Sequence, residues 1–191
     1  MANAPGRDTA AVERAVAGLI AALGLDPATE PELAATPARV AELYREIFSG
    51  LDAANAPDLA VFPHPAGDGE LVMVRDLQFY SLCVHHFVPF FGRATIAYLP
   101  DRSLIGISGP ARLLELYSRR PQLQERIAVE IADHLERLVK PRGIAVILEA
   151  RHLCMEMRGV RRRGRVETRL VRGELADPRW AAALAPEPRR R

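Results

Sequence analysis

Proline and glycine decide what this chain can fold into. They cut its 191 residues into blocks of different hydrophobic period. Residues 52–70 hold Pro57, Pro63, Pro65, Gly67 and Gly69, and no regular element survives such a run. Before that break the apolar residues recur at helical spacing. Val12, Val16, Leu19, Ile20 and Leu23 form one face over residues 11–25, and Gly24 closes the run. Thr36 is a suitable N-cap for a second helix, with Pro37 at its first position, where a missing N–H costs nothing. Val40, Leu43, Tyr44, Ile47 and Phe48 line that helix, and Gly50 ends it. After the break, residues 71–82 and 93–99 read as strands separated by turns. Ser108 and Pro110 then start a helix carrying Leu113, Leu114, Leu116 and Tyr117. A further helix runs from Pro121 to about Val139 on Ile127, Ile131, Leu135 and Leu138, and Pro141 and Gly143 stop it. Residues 144–157 are strand-like again, and the piece after Gly159 supplies a last strand. Grouped strands and grouped helices imply an α+β fold with an antiparallel sheet. The boundaries are an N-terminal helical arm over 1–51, a linker over 52–70, an α+β domain over 71–178 and a flexible tail over 179–191.

Composition excludes several classes. No apolar run reaches the roughly 18–20 residues of a membrane-spanning helix. Asp8 and Glu13 sit where a secretory leader carries positive charge. The chain therefore reads as cytoplasmic, where two cysteines serve as thiols or metal ligands rather than a disulfide. The net charge of +2 is too small to imply a nucleic-acid partner. The basic residues are almost all arginine, Lys140 being the single lysine, and Arg161, Arg162, Arg163 and Arg165 cluster. Such a cluster is ordinarily a solvated face. A non-catalytic nucleic-acid-binding protein that used it would bind with steep salt dependence.

The chemistry lies in two short pieces. Cys83-Val84-His85-His86 and His152-Leu153-Cys154 contain both cysteines and three of the five histidines. Thiolate and imidazole are zinc ligands, and a catalytic zinc keeps three protein ligands and one open position. Cys83, one of the two adjacent histidines, and Cys154 make such a set. On a strand, His152 and Cys154 face the same way, so one binds metal while the other works beside it. Neutral imidazoles near a metal-activated water are suited to proton transfer. The plain alternative is that each cysteine is a small buried hydrophobe. His64, between prolines, and His134, on a charged helix, carry no such expectation; His134 reads as solvated.

These pieces belong to a longer pattern. Cys83-Val84-His85-His86, Pro89-Phe90-Phe91-Gly92 and Ala97-Tyr98-Leu99-Pro100 resemble the core of GTP cyclohydrolase I. So do Gly106-Ile107-Ser108 with Ala111-Arg112, and Arg119-Arg120-Pro121-Gln122-Leu123-Gln124-Glu125-Arg126. His152-Leu153-Cys154-Met155-Glu156-Met157-Arg158-Gly159-Val160 is a further matching block. Thr36-Pro37-Ala38-Arg39-Val40 and Ile47-Phe48-Ser49-Gly50-Leu51 match near the N-terminus. The resemblance spans roughly residues 10–178, in order.

It implies a T-fold, with an antiparallel sheet and two helices on one face, and a homodecamer of two pentamers with sites between subunits. It implies Zn2+ held by Cys83, His86 and Cys154, with His85 and His152 as proton-transfer residues. It implies a GTP substrate whose guanine ring is opened to give 7,8-dihydroneopterin triphosphate and formate, in pterin and tetrahydrofolate biosynthesis. Glu125, with Gln124 beside it, would recognise the guanine edge. Ser108, Arg112 and Arg158 would hold ribose and triphosphate, with Arg39 reaching in from a neighbouring subunit. No membrane and no nucleic-acid partner is implied. Without the resemblance, Glu125, Arg112 and Arg158 read as surface charges and Ser108 as a helix cap. Two departures bear on substrate. Val84 replaces a glutamate of the family pattern, and Gly109 replaces a lysine before the phosphate-binding helix. They leave room for a relative acting on a different purine nucleotide or nucleoside.

Overall fold

The computed structural model describes residues 8–64 and 70–185. It divides into two compact units, residues 1–56 and 57–191. The first holds α1 (Thr9–Ala22) and α2 (Thr36–Ile47). Asp8 caps α1 by accepting from the Ala11 N–H at 2.9 Å, so this helix begins and ends earlier than its periodicity implies. Thr36 is the first residue of α2 rather than its cap, and Ala35 in the cap position offers no side-chain bond. Among the described residues of this unit, Ile20, Ala41 and Phe48 are the buried apolar ones.

The second unit is an α+β domain. Its main sheet has five strands in the order β5-β2-β3-β6-β7: β2 (Val72–Cys83), β3 (Pro89–Leu99), β5 (Pro121–Gln122), β6 (Gly143–His152) and β7 (Val166–Gly173). All neighbours are antiparallel except the two-residue β5, which runs parallel to β2. The helices are α3 (Gly109–Ser118), α4 (Gln124–Val139) and the single turn α5 (Leu153–Glu156). The segment read as a linker contains β1 (Val61–Pro63), which pairs with β4 (Ser103–Ile105) in a separate two-stranded sheet. Its residues 65–69 lie outside the described part of the chain.

Alternation along the strands builds two cores. Phe90, Ala94, Ile96 and Tyr98 of β3 and Ile144, Val146, Leu148 and Ala150 of β6 pack with Leu113, Ile127, Ile131 and Leu135 from α3 and α4. Ala97, Leu99 and Ala145 face the other way and pack with Leu175 and Leu184. Residues 178–185 are therefore folded, contrary to the flexible tail read from composition. Leu184 is 6% exposed, and Arg75 donates to the Ala183 and Ala185 carbonyls. The rest of that tail, residues 186–191, is outside the described residues.

Three other sequence readings change. α4 starts at Gln124, because Pro121 and Gln122 are taken by β5. β6 stops at His152, ahead of residue 157. His134 is not solvated: its Nδ1 shares a hydrogen bond with Tyr117 Oη at 2.8 Å. Burial, with Arg137 adding to it, holds that imidazole below its ordinary pKa. Lys140 ends α4 in the left-handed conformation, one residue ahead of Pro141.

A β-bulge interrupts β2. Val74 pairs with Ile96 and Leu77 with Ala94, so β2 advances three residues where β3 advances two. Asp76 takes a positive φ of 62° there. One inserted residue exchanges the faces of everything beyond it. Leu77, Phe79 and Cys83 consequently lie on the helix side. Downstream on β3, Gly92 pairs with Ala150 of β6. A Cβ there would stand 1.9 Å from the Glu149 carbonyl oxygen and 2.6 Å from Ala150 Cα. Both of these are β6 backbone atoms, which cannot swing aside as a flexible side chain could. Gly92→Ala should cost about 3 kcal/mol or more of stability, at the upper end for overpacking. Chemical denaturation of both proteins measures this, and a loss under about 1 kcal/mol would contradict it.

Candidate metal and catalytic site

The site begins where β2 ends. Cys83 is its last residue and is buried, 6% exposed. The chain then turns tightly: the His86 and Phe87 N–H groups both donate to the Cys83 carbonyl, at 3.2 and 2.8 Å. Phe87 absorbs the reversal at φ 53°, and the Cys83 N–H returns to the Val88 carbonyl at 2.9 Å. This turn holds the exposed His85 and His86 over the thiol. Cys83 Sγ lies 3.7 Å from His85 Nδ1 and 4.0 Å from His86 Nδ1.

The second piece arrives on β6. The strand ends at His152, and Cys154 sits on the helical turn α5. The same-face argument for a strand therefore does not apply; the turn, rather than strand alternation, positions Cys154. Ligand atoms of Cys83, His86 and Cys154 all lie within 4.8 Å of one another. Burial, and then the neighbouring Cys83 thiol, push the Cys154 pKa up. A divalent cation beside Cys154 would offset that cost to its thiolate. The donor set is therefore chemically suited to zinc: two soft sulfurs and one imidazole, with no fourth ligand grouped with them among the described residues. Arg158, beside His86, has a guanidinium nitrogen 2.5 Å from His86 Nε2.

His152 is held from two sides. Its ring stacks on Phe90, with centroids 4.6 Å apart and planes 3° from parallel. Its Nε2 lies 2.8 Å from Gln124 Oε1. Burial lowers its pKa, while the Glu125 carboxylate works in the opposite direction. Glu125 is exposed on the first turn of α4, next to His152 in charge if not in sequence. Gln124 departs from the sequence reading. It is 1% exposed, and its amide nitrogen donates to Leu148 O, Val166 O and Thr168 Oγ1. Its amide nitrogen is thus committed to β6 and β7, and its oxygen lies against His152.

The remaining candidates belong to other elements, α2 and the start of α3. Ser108 is exposed and precedes α3 without capping it through its side chain. Arg112 is exposed and makes one long bond, 3.4 Å, to the Asp58 carbonyl. Gly109 is buried, and a Cβ there would stand 2.4 Å from Ile105 Cδ1. Arg39 lies exposed on α2 in the first unit. Within the arginine cluster, Arg165 pairs with Glu149 at 2.9 Å. Phe90 and Thr168 are the residues that sequence reasoning passed over. Phe90 was visible as part of Pro89-Phe90-Phe91-Gly92, but Thr168 carried no signal.

An antiparallel α+β domain that gathers two thiols and imidazoles at one end of its sheet defines a candidate metalloenzyme. Comparison with known proteins makes the class specific. The GTP cyclohydrolase I family model matches residues 12–185. A protein of Streptomyces avermitilis named GTP cyclohydrolase 1 is 45% identical over 174 residues, 90% of this chain and 86% of that protein. One of Streptococcus mutans with the same name is 47% identical over 169 residues, 87% of this chain and 86% of that protein. The chain belongs to the GTP cyclohydrolase I family and is an enzyme of that type. Among the described residues, no helix is long and apolar enough to cross a membrane.

The cluster generates a direct expectation. Cys154→Ala removes one of two sulfurs, and the purified variant should hold less than a tenth of the zinc per chain of the native protein. Elemental analysis after dialysis measures it; full retention would refute Cys154 as a ligand.

Proposed function

We propose that this enzyme opens the imidazole ring of the guanine in GTP, releases C8 as formate, and forms 7,8-dihydroneopterin triphosphate. The observation that carries this reading is the convergence of Cys83, His86 and Cys154 within 4.8 Å beside His85 and His152, in a chain of this family. In this reading Cys83, His86 and Cys154 hold Zn2+. When bound, zinc supplies a Lewis acid that polarises water and substrate near neutral pH. His152 and His85 are the proton-transfer groups. Burial disfavours the charged form of His152, which suits a proton acceptor. Glu125 accepts from the paired N1–H and N2–H₂ donors of guanine, a match for a carboxylate's two oxygens. Arg112 and Arg158, with Ser108, take ribose and phosphates, since a guanidinium fork fits phosphate oxygens. Arg39 completes the site from a neighbouring subunit of a homodecamer built from two pentamers. The product enters pterin and tetrahydrofolate synthesis in the cytoplasm, where both thiols stay reduced.

A second reading has a specific observation behind it. Gly109 is packed against Ile105 where the family pattern has a lysine, so a cation the family would aim at the triphosphate is missing. A relative preferring fewer phosphates would show that pattern. Zinc-loaded oligomeric protein should turn over GTP, giving a pterin absorbance and one formate per product, in preference to GDP, GMP and guanosine. No product from any of these refutes the proposal. A preference for a less phosphorylated substrate establishes the second reading instead.

A further inference from the structure

We propose that Gln124 is a positioning residue that fixes His152 as its Nε2–H tautomer, leaving Nδ1 as the free ring nitrogen. The inference rests on the reading above only in treating His152 as a proton-transfer group.

A glutamine side chain has one acceptor end and one donor end, and the two differ little in shape. Here the surroundings decide which is which. Around the amide nitrogen lie the Leu148 carbonyl of β6 at 3.0 Å, the Val166 carbonyl of β7 at 3.0 Å, and Thr168 Oγ1 at 3.1 Å. Carbonyl oxygens only accept. Rotating the amide would set Oε1 against two of them in a site where Gln124 is 1% exposed. The nitrogen must therefore face β6 and β7, and Oε1 must face His152. At 2.8 Å from an oxygen that only accepts, His152 Nε2 has to carry the proton. A neutral imidazole holds one ring proton, so Nδ1 is left bare.

The orientation of the ring is fixed with it. Phe90 lies flat against one side, and Phe90 is itself fully buried. Backbone position is fixed too, since Phe90 is the register partner of His152. Gln124 thus joins three elements, the start of α4, β6 and β7, to one ring nitrogen. Partners of this kind around site histidines typically contribute about 10–100-fold to activity. This assignment gives Thr168 a function as well. It is the side-chain member of the set that turns the amide, opposite Leu148 in the β6–β7 register.

The test reads the tautomer directly. Nitrogen-15 spectra of histidine-labelled, zinc-loaded oligomer at neutral pH distinguish a protonated from a bare ring nitrogen, with His152→Phe assigning the signals. Native protein should show His152 with hydrogen on Nε2 and none on Nδ1. The reverse tautomer, or a mixture, overturns the proposal without any variant having to fold. Gln124→Met keeps the bulk and removes the acceptor. It should mix the two tautomers and lower kcat about 10–100-fold with KM for GTP changed less than about threefold. An unchanged kcat, or a fall in kcat accounted for by lost zinc or by a parallel rise in KM, would show a merely structural role and overturn it. If native protein shows the Nε2–H tautomer yet makes no product from GTP, the proposed function fails and the tautomer assignment stands.

Discussion

Ten consecutive residue pairs join β3 to β6, from Phe90 opposite His152 to Leu99 opposite Gly143. The rest of the site depends on that register. Phe90 also pairs with Ser81 on its other flank, two residues before Cys83. The start of β3 is therefore where the two chemistry-bearing pieces, more than sixty residues apart in sequence, meet. One piece leaves β2 by a tight turn, and the other leaves β6 by one turn of helix. At Gly92 a side chain would collide with the β6 backbone, so glycine permits the pairing at this end. A long antiparallel ladder costs much chain entropy to form, but once formed it places several side chains with no further adjustment.

Register alone does not choose the face. The bulge at Arg75 and Asp76 does so for β2, putting Cys83 on the side covered by α3 and α4. Without the extra residue, Leu77, Phe79 and Cys83 would present to the opposite face, and a thiol would lie away from Cys154. The same helix layer supplies Gln124, whose amide secures His152 from behind. Core packing, bulge and polar network thus serve one placement. Each satisfies its own local requirements, which is how a sequence comes to specify one arrangement.

How much of this was legible depends on the residue. Cys83, His86 and Cys154 could be picked out because cysteine occurs only twice and lies near histidine both times. The helices were visible from Leu113 to Leu138 because apolar spacing there is regular. Cys154 was assigned to a strand because Ile144 to Leu148 alternate well, and nothing in Leu153-Cys154-Met155-Glu156 announces a turn. Gln124 and Glu125 are adjacent with similar side chains, so only the true start of α4 separates the buried residue from the exposed one. That start depends on β5, a two-residue pairing too short to have a pattern. The bulge was invisible because neither Arg75 nor Asp76 is glycine or proline. His134 was misread because its helix is rich in charge, while its partner Tyr117 comes from α3.

Two sulfurs and one imidazole nitrogen meet at the proposed metal site. X-ray absorption at the zinc edge of the loaded native protein tests this most directly. It should show two sulfur neighbours at about 2.3 Å and one imidazole nitrogen at about 2.0–2.1 Å, with a light atom completing the shell. A shell with one sulfur or none would contradict it.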